Sequence, residues 1–456
     1  MSELDVLIIG AGTAGQTAAM DLVVEGYRVA VVEKSATPGG VCALHGCQAK
    51  KWLYEVAEIV ARSNHLSHLG VTSPPVVNWS EIVTAKNSFT SEIPAGTIKT
   101  LKGSGIEYLE GDAVFVDPDT VMVGDMVLKP RFIIIATGAK PMALQFEGNA
   151  CLATSNDFLA LERLPKRIIF VGGGFISFEF AHFAARLGCM PEDVHILEVM
   201  DRVLTPFDSD MVDQLVKATR AEGIGVRTGV AIRSISKSSS GYTVTLESGE
   251  SLETDLVVHG AGRIPDIDTL NLGAAGIDFN RRGIEVDLQM TTSNQKVYAI
   301  GDCAATVQLA RVADQEAHLA AANITAHDHK EVLEEIDYQA VPAILFTYPQ
   351  LGMVGKTEDE LIKEGTSYWK SFDKDLSWPT YRRIGMKHAA YKVLVDDDGK
   401  ILGAHVIGDN TTGLINCFKQ AILDSMTAGE LHGANIMTPY PSRESDIIYM
   451  LESLLD

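Results

Sequence analysis

Cys42 and Cys47 sit in Gly39-Gly-Val-Cys42-Ala-Leu-His-Gly46-Cys47-Gln-Ala-Lys50-Lys51-Trp52, with four residues between them. Two thiols at that spacing, close to a helix start, can close a strained and readily reduced disulfide. A helix N-terminus and the two lysines would lower the thiolate pKa. Taken alone, the residues also allow two ordinary thiols or half of a metal site. No CxxC or HxxxH stands elsewhere to complete such a site, so no metal ligands are expected.

A second chemistry is written twice. Gly10, Gly12 and Gly15 follow the apolar run Asp5-Val-Leu-Ile-Ile, precede a helical stretch from Thr17 to Val24, and lead to Val29-Ala-Val-Val-Glu33. Glycines allow the tight turn, the approach of backbone to a pyrophosphate and close helix–strand packing. The acid about twenty residues on can hold a ribose hydroxyl pair. The other reading is a βα turn with no ligand. Ile168-Ile-Phe-Val-Gly172-Gly-Gly174-Phe-Ile-Ser177 repeats the grammar, with a helix through Leu187 and then His195-Ile-Leu-Glu198. Ser177 replaces the third glycine and is small enough to keep the packing. Glu198 favours a 2′-hydroxyl and repels a 2′-phosphate, and Arg202 comes only after Val199, Met200 and Asp201. NADH is therefore preferred over NADPH.

These sites need βαβ units to hold them. The repeat predicts an α/β chain with two Rossmann-like dinucleotide-binding domains. After Asp302 a helical stretch runs to a loop around Asp337–Pro342. Strands are expected at Ala343–Tyr348, Tyr391–Asp396 and Ile401–Ile407, and helices near Gly413–Ser425 and Ser445–Leu455. That α+β pattern reads as a further domain. The expected division is 1–150 for the first dinucleotide site and the cysteine pair, 151–270 for the second site, 271–340 for a central segment and 341–456 for the last domain.

The totals agree with an enzyme of this kind. The 456 residues exceed one core, and the 40 glycines suit several tight strand-to-helix turns. A formal net charge of −22 argues against nucleic acid or an anionic membrane as partner. No run of 18 apolar residues predicts a membrane span, and the start MSELDVLIIGAG lacks the features of a signal peptide. With six cysteines, a cytoplasmic protein is expected.

The whole chain resembles the class I pyridine nucleotide–disulfide oxidoreductases, which include dihydrolipoamide dehydrogenase, glutathione reductase and mercuric reductase. Gly39–Lys51 is similar to their GGxCxxxGCxPxK segment, with Ala49 in place of proline. Gly301-Asp302, Ala136-Thr-Gly138, Ala261-Gly-Arg-Ile-Pro265 and Leu345-Phe-Thr-Tyr-Pro349 resemble further family landmarks in the expected order. The resemblance implies that Cys47 is the thiol in contact with the flavin and that Cys42 is the interchange thiol. It implies an ion pair of Lys51 and Glu179 beside the flavin. FAD contacts would come from Gly10, Gly12, Gly15, Glu33, Gly40, Lys51, Ala113, Thr137, Gly138, Asp302 and Ala310. NAD contacts would come from Gly172, Gly174, Ser177, Glu198, Val230 and Gly262. A homodimer, held by the C-terminal domain, is implied as well.

One position departs from the family pattern. Disulfide-reducing members carry HPxxSE, whose histidine serves the partner subunit's interchange thiol as acid–base. Here the stretch reads Thr438-Pro-Tyr440-Pro-Ser-Arg-Glu444-Ser445, with tyrosine at the histidine position and Ser445 at the glutamate position. A histidine near pKa 6.5 exchanges protons at neutral pH, whereas a tyrosine near 10 is a poor base. His432 and His45 are the candidate substitutes. Mercuric reductases share the tyrosine but add a C-terminal cysteine pair, and the last cysteine here is Cys417. The leading expectation is an enzyme passing electrons from NADH through FAD and the cysteine pair to a small-molecule or protein-borne disulfide, or to another thiol-reactive substrate. The alternatives are a diaphorase reducing quinones, metals or oxygen, and a flavin-based redox-sensing binding protein.

Overall fold

The computed structural model describes residues 4–239 and 241–455. Residues 1–3 and Asp456, the outer ends of the expected first and last domains, lie outside them. The chain forms two compact units. The first joins the N-terminal stretch through Trp52 to Val83–Ala143 and Arg263–Asp337. The second joins Leu53–Ile82 and Leu144–Gly262 to the stretch from Tyr338 onward. The helices that bear on the site are α1 (Thr13–Val24), α2 (Gly40–Leu44), α3 (Cys47–His65), α4 (Phe175–Leu187), α5 (Ser209–Ala221) and α6 (Ala310–His329).

In the first unit a parallel sheet runs Val297–Ala299, Phe132–Ile135, Val6–Ile9, Val29–Glu33, Glu107–Glu110. The runs Val6–Ile9 and Phe132–Ile135 are buried at every residue, as strands covered on both faces require. α1 packs against α6. Val6 pairs with both Val29 and Phe132, so Ile9 and Val32 come level and Glu33 ends its strand beside the glycine turn. That carboxyl edge is where open α/β sheets bind ligands.

The second unit repeats the arrangement with a parallel sheet ordered Gly225–Arg227, Val194–Leu197, Ile168–Val171, Leu256–His259. It also holds an antiparallel sheet ordered Ala343–Leu345, Gln350–Gly355, Ile401–Gly408, Ala390–Val395, Trp369–Lys374. Fully buried within this unit, the Lys392 ammonium meets both Asp208 oxygens at 2.9 and 3.0 Å and Asp210 and Glu358 at 2.6 Å each. Burial works against the lysine charge, but the three carboxylates outweigh it and raise its pKa. Burial likewise works against Glu358, yet Lys370, Lys392 and Tyr368 hold it down to about 2.

The elements differ from expectation in instructive places. α1 begins at Thr13, not Thr17, because the glycine turn feeds directly into the helix with Gly12 as its N-cap. The strand expected to reach Tyr348 stops at Leu345, since the Phe346 N–H turns to donate to Glu179 Oε1 at 3.0 Å. The expected last helix is instead a helical turn at Glu444–Asp446, the helix Ile447–Leu451 and a second turn at Glu452–Leu454. Among the described residues, no helix is long and apolar enough to cross a membrane.

Candidate active site

The two glycine turns are built to the same plan. Gly10 takes φ +114° and Gly172 +99°. A Cβ at Gly10 would lie 2.3 Å from the Ala136 carbonyl oxygen, and one at Gly172 would lie 2.3 Å from Ala261 Cα. Only glycine meets both demands. The acids that close each unit are held in matching ways. Glu33 accepts from the Ala11 N–H and the Ser35 N–H, each at 2.8 Å. Glu198 accepts from the Gly173 N–H and, at 2.7 Å, from the Met200 N–H. Each carboxylate is thus fixed to its own glycine turn, with lone pairs left over for ribose hydroxyls.

The third-glycine position shows how the second turn tolerates serine. A Cβ at Gly15 would lie 2.0 Å from the Gly10 carbonyl oxygen, so the first helix needs a glycine there. Ser177 is fully buried at the equivalent place. Its room comes from across the interface, where a Cβ at Gly260 would lie 2.1 Å from Ser177 Oγ. The first unit has Ile135 before Ala136, where the second has Gly260 before Ala261. The glycine has moved from the helix to the strand end.

Both turns suit a dinucleotide. α1 and α4 start at Gly12 and Gly174 with no side chain capping them, which leaves first-turn N–H groups for phosphate. Gly138 and Gly262 hold φ +69° and +116°, and among the described residues a Cβ at either meets nothing within 4 Å, so both border open space. Asp302, after Gly301, is a carboxylate whose pKa burial raises while Arg263 opposes it. It is an acceptor placed for a hydroxyl-bearing chain. Ala113 opens the strand Ala113–Asp117, Ala310 opens α6, and the Val230 N–H donates to the Glu198 carbonyl at 2.9 Å. Thr137 lies between Ala136, which Gly10 approaches, and Gly138.

The cysteine pair occupies the junction of two helices. Cys42 lies in α2, half-buried, and Cys47 is the exposed first residue of α3. Gly40 brings α2 against the first glycine turn, since its Cβ would lie 2.6 Å from Gly12 Cα. The two thiol side chains are hydrogen-bonded to each other. That bond, burial and negative charge at Cys47 push the Cys42 thiol up, while a hydrogen bond with Thr13 pulls it down. The sequence suggests that both thiols are activated, whereas in the structure the Cys42 thiol is pushed up. Cys47 stands at the N-terminus of the 19-residue α3, where a helix end favours a thiolate. Between them His45 is half-buried and held below its ordinary pKa by burial, Lys86 and Arg263. Cys303 and Cys189 are different in kind. Burial pushes them up to about 11 and about 12, and their thiols donate to backbone carbonyls. Among the described residues no cluster of three or more metal-ligating side chains occurs.

Lys51 lies on α3 in the first unit, and Glu179 is buried on α4 in the second. Tyr440 lies in the second unit with 70% of its surface exposed. Its segment is held nearby, where Arg383 donates to the Pro441 carbonyl at 2.9 Å and Arg443 to Asp409 at 3.1 Å. The residues that sequence reasoning passes over are Thr13, Gly260 and Arg263. Thr13 lies inside the first fingerprint and Arg263 inside the Ala261–Pro265 landmark, so the signal existed without a role attached. Gly260 had none.

Comparison with known proteins agrees with this geometry. Residues 4–317 match the family described as pyridine nucleotide-disulphide oxidoreductase, and residues 341–447 match its dimerisation domain. Dihydrolipoyl dehydrogenase from Bacillus subtilis is 31% identical over 441 residues, which is 94% of this chain and 92% of the relative. The Halobacterium salinarum enzyme of the same name is 31% identical over 432 residues, covering 90% and 88%. Among solved structures, the HOCl-induced flavoprotein disulfide reductase RclA from Escherichia coli superposes with a TM-score of 0.86 at 24% identity, over 99% of this chain and all of that one. A copper(II) complex of a variant of that protein superposes with a TM-score of 0.87 at 25% identity, over the full length of both. The cofactors that go with these matches are FAD and NAD(H). Matched across both of its parts, the chain belongs to the pyridine nucleotide-disulphide oxidoreductase family and is an FAD-dependent disulfide oxidoreductase.

Proposed function

We propose that the chain uses NADH to reduce a small-molecule or protein-borne disulfide, or another thiol-reactive acceptor, through Cys42 and Cys47. The observation that carries this reading is the placement of the pair, with Cys42 in α2 packed against the first glycine turn and Cys47 at the N-terminus of the 19-residue α3. When bound, FAD would relay two electrons from NADH to the disulfide. Gly10, Gly12, Gly15, Glu33, Gly40, Ala113, Thr137, Gly138, Asp302 and Ala310 would hold it, with Lys51 and Glu179 in the roles expected from the family resemblance. Gly172, Gly174, Ser177, Glu198, Val230 and Gly262 would hold NADH, and the Glu198 carboxylate would repel a 2′-phosphate.

In the reduced pair, Cys42 loses its proton and its sulfur attacks one sulfur of the substrate. The substrate S–S bond breaks, the departing sulfur takes the electron pair and a proton, and a mixed disulfide forms at Cys42. Cys47 then attacks Cys42, re-forms the internal disulfide and releases the second thiol. The sum is NADH, a proton and a disulfide giving NAD⁺ and two thiols. The match to the dimerisation domain supports a homodimer, in which Tyr440 would face Cys42 of the partner subunit. A reaction fed by NADH supports a cytoplasmic setting.

The exposed Tyr440 favours a second reading, in which organic disulfides turn over slowly and one-electron acceptors react faster. RclA has been captured with copper(II), and one NADH would here reduce two copper(II) ions to copper(I) with release of a proton. Anaerobic titration of the holoenzyme with NADH tests the main reading. A long-wavelength charge-transfer absorbance after two electrons is expected, and it should vanish in Cys47→Ser. Direct bleaching of the flavin without that band would refute the role of the pair and leave the second reading standing.

A further inference from the structure

The residues Tyr440 to Arg443 run as a loop between the helix Ala428–Asn435 and the turn at Glu444–Asp446, yet the loop is tied down directly after its tyrosine. Arg383 donates to the Pro441 carbonyl at 2.9 Å. The Ser442 N–H donates to Ser445 Oγ at 3.1 Å and the Ser445 N–H to Ser442 Oγ at 3.2 Å, so the segment is also closed on itself. Tyr440 is left exposed on a fixed support.

The central tie runs through Asp409, the residue after the strand Ile401–Gly408. This buried carboxylate accepts from two guanidiniums. One belongs to the buried Arg443, at 3.1 Å, and the other to Arg62 in the last turn of α3. Beside it Asn410 donates to Glu444 Oε1 at 2.7 Å. Two consecutive residues at the strand end thus grip two consecutive residues of the tyrosine segment. Each arginine also lies against a buried ring. The Arg443 guanidinium carbon stands 4.9 Å from the centre of Tyr381, and that of Arg62 stands 5.8 Å from the centre of Tyr348. Gly408 leaves room for this arrangement, since a Cβ there would lie 3.0 Å from Tyr381 Cε1. A buried ion pair adds little net stability over an apolar contact of the same shape, so stability alone is a weak reason for this one. A carboxylate and a ring together fix the direction of a guanidinium.

We propose that Arg443 is a positioning residue for the disulfide reaction: gripped by Asp409, it sets the direction in which Tyr440, three residues earlier, is offered to Cys42 of the partner subunit. The proposal rests on that placement of Tyr440. A side chain at position 440 can move a proton to or from a thiol only when held within hydrogen-bond reach of it.

The test uses the holoenzyme, with oxidised lipoamide as the disulfide probe and ferricyanide as the one-electron acceptor. Tyr440→His should raise lipoamide turnover by about tenfold or more near neutral pH, with a pH dependence centred near about 6.5. Adding Arg443→Met should cancel a gain of that size and its pH dependence, since a misplacement of about 1 Å costs about 10²-fold. That variant spares Asp409, which keeps Arg62 as its partner. Arg443→Lys retains a charge for Asp409 and should restore both. Ferricyanide turnover should be the same throughout, because that acceptor takes electrons without thiol exchange. Should Arg443→Met fail to fold, Glu444→Ala breaks the neighbouring bond to Asn410 and is read in the same way, with Glu444→Gln as its conservative counterpart. A gain that survives the substitution, or one that the conservative variant does not restore, overturns the assignment of Arg443. A parallel loss of ferricyanide turnover would make the clamp structural only and overturn it as well. Failure of Tyr440→His alone to raise turnover would refute the placement of Tyr440 against the thiol, an outcome distinct from a failure at Arg443.

Discussion

Replacing Gly260 by alanine should damage NADH binding, and replacing Ser177 by glycine in the same chain should repair it. The backbone at Gly260 is not in a conformation reserved for glycine, so only space is at issue. The new methyl would stand 2.1 Å from Ser177 Oγ and 3.2 Å from Ser177 Cβ and N. An ordinary contact is about 3.5–4 Å, so the hydroxyl must move by more than about 1 Å and the first turn of α4 must yield by a few tenths. Neither side retreats easily. The Gly260 N–H is bonded to the Val171 carbonyl at 2.8 Å, and Ser177 is fully buried. Overpacking of this kind costs about 1–3 kcal/mol, and coupling of that size corresponds to about 5- to 150-fold in affinity. Because α4 would present its N-terminus to NADH in the proposed site, much of that cost should be read in binding. The assay is the NADH concentration dependence of flavin reduction in anaerobic stopped flow, run as a double-mutant cycle beside thermal unfolding. Gly260→Ala should raise the apparent Kd, and the double variant should come within about threefold of the parent. Strict additivity, or a Gly260→Ala protein indistinguishable from the parent in both assays, would refute the account of how serine is accommodated.

Other outcomes follow from the same geometry. Tyr440→His should raise turnover with an organic disulfide by at least about tenfold near neutral pH, because general acid–base help is worth about 10²–10⁴-fold in full; unchanged turnover would remove position 440 from the chemistry. In the unaltered protein, disulfide turnover should climb with pH without levelling near pH 7, since the Cys42 thiol is pushed up by Cys47 and by burial; a plateau at neutral pH would contradict that. Lys392→Met leaves the fully buried Asp208 without its counter-charge and should cost about 3–5 kcal/mol in denaturant unfolding. Glu358, depressed to about 2, contributes stability that is fully present above about pH 4.5 and lost as the pH falls toward 2. Glu358→Gln should therefore flatten the acid limb of the stability profile, and an identical limb would exclude it.

How much of this could be read beforehand depended on range. The βαβ units were legible because each signal is contiguous, an apolar run, glycines and an acid about twenty residues on. The strand bearing Glu33 and the strand that ends at Leu197, just before Glu198, lie where the apolar runs place them. The strands Gln350–Gly355 and Trp369–Lys374 were not legible. The first is short and holds glycines, and the second is largely exposed and charged, so neither shows a clean apolar run. Within the site, the cysteines announced themselves by spacing, but the meeting of Gly40 and Gly12 did not. A Cβ at Gly40 would stand 2.6 Å from Gly12 Cα, and that closeness belongs to the folded turns. Gly260 was silent for a similar reason. Its meaning lies in a serine 83 positions earlier in the numbering, and no local pattern links the two.

The buried Lys392 also constrains how such a chain can change. The lysine lies in the C-terminal sheet, as one residue of Ala390–Val395, whereas Asp208 caps α5 and Asp210 follows in its first turn. Exchanging the C-terminal portion for that of a relative without the lysine would strand an acid in a dry interior. Exchanging the portion that bears the acids would strand a base. These two stretches, separated by the whole segment that returns to the first unit, are heritable only as a matched set. Recombination at the boundary near residue 338 should yield working progeny only between parents that already share the knot.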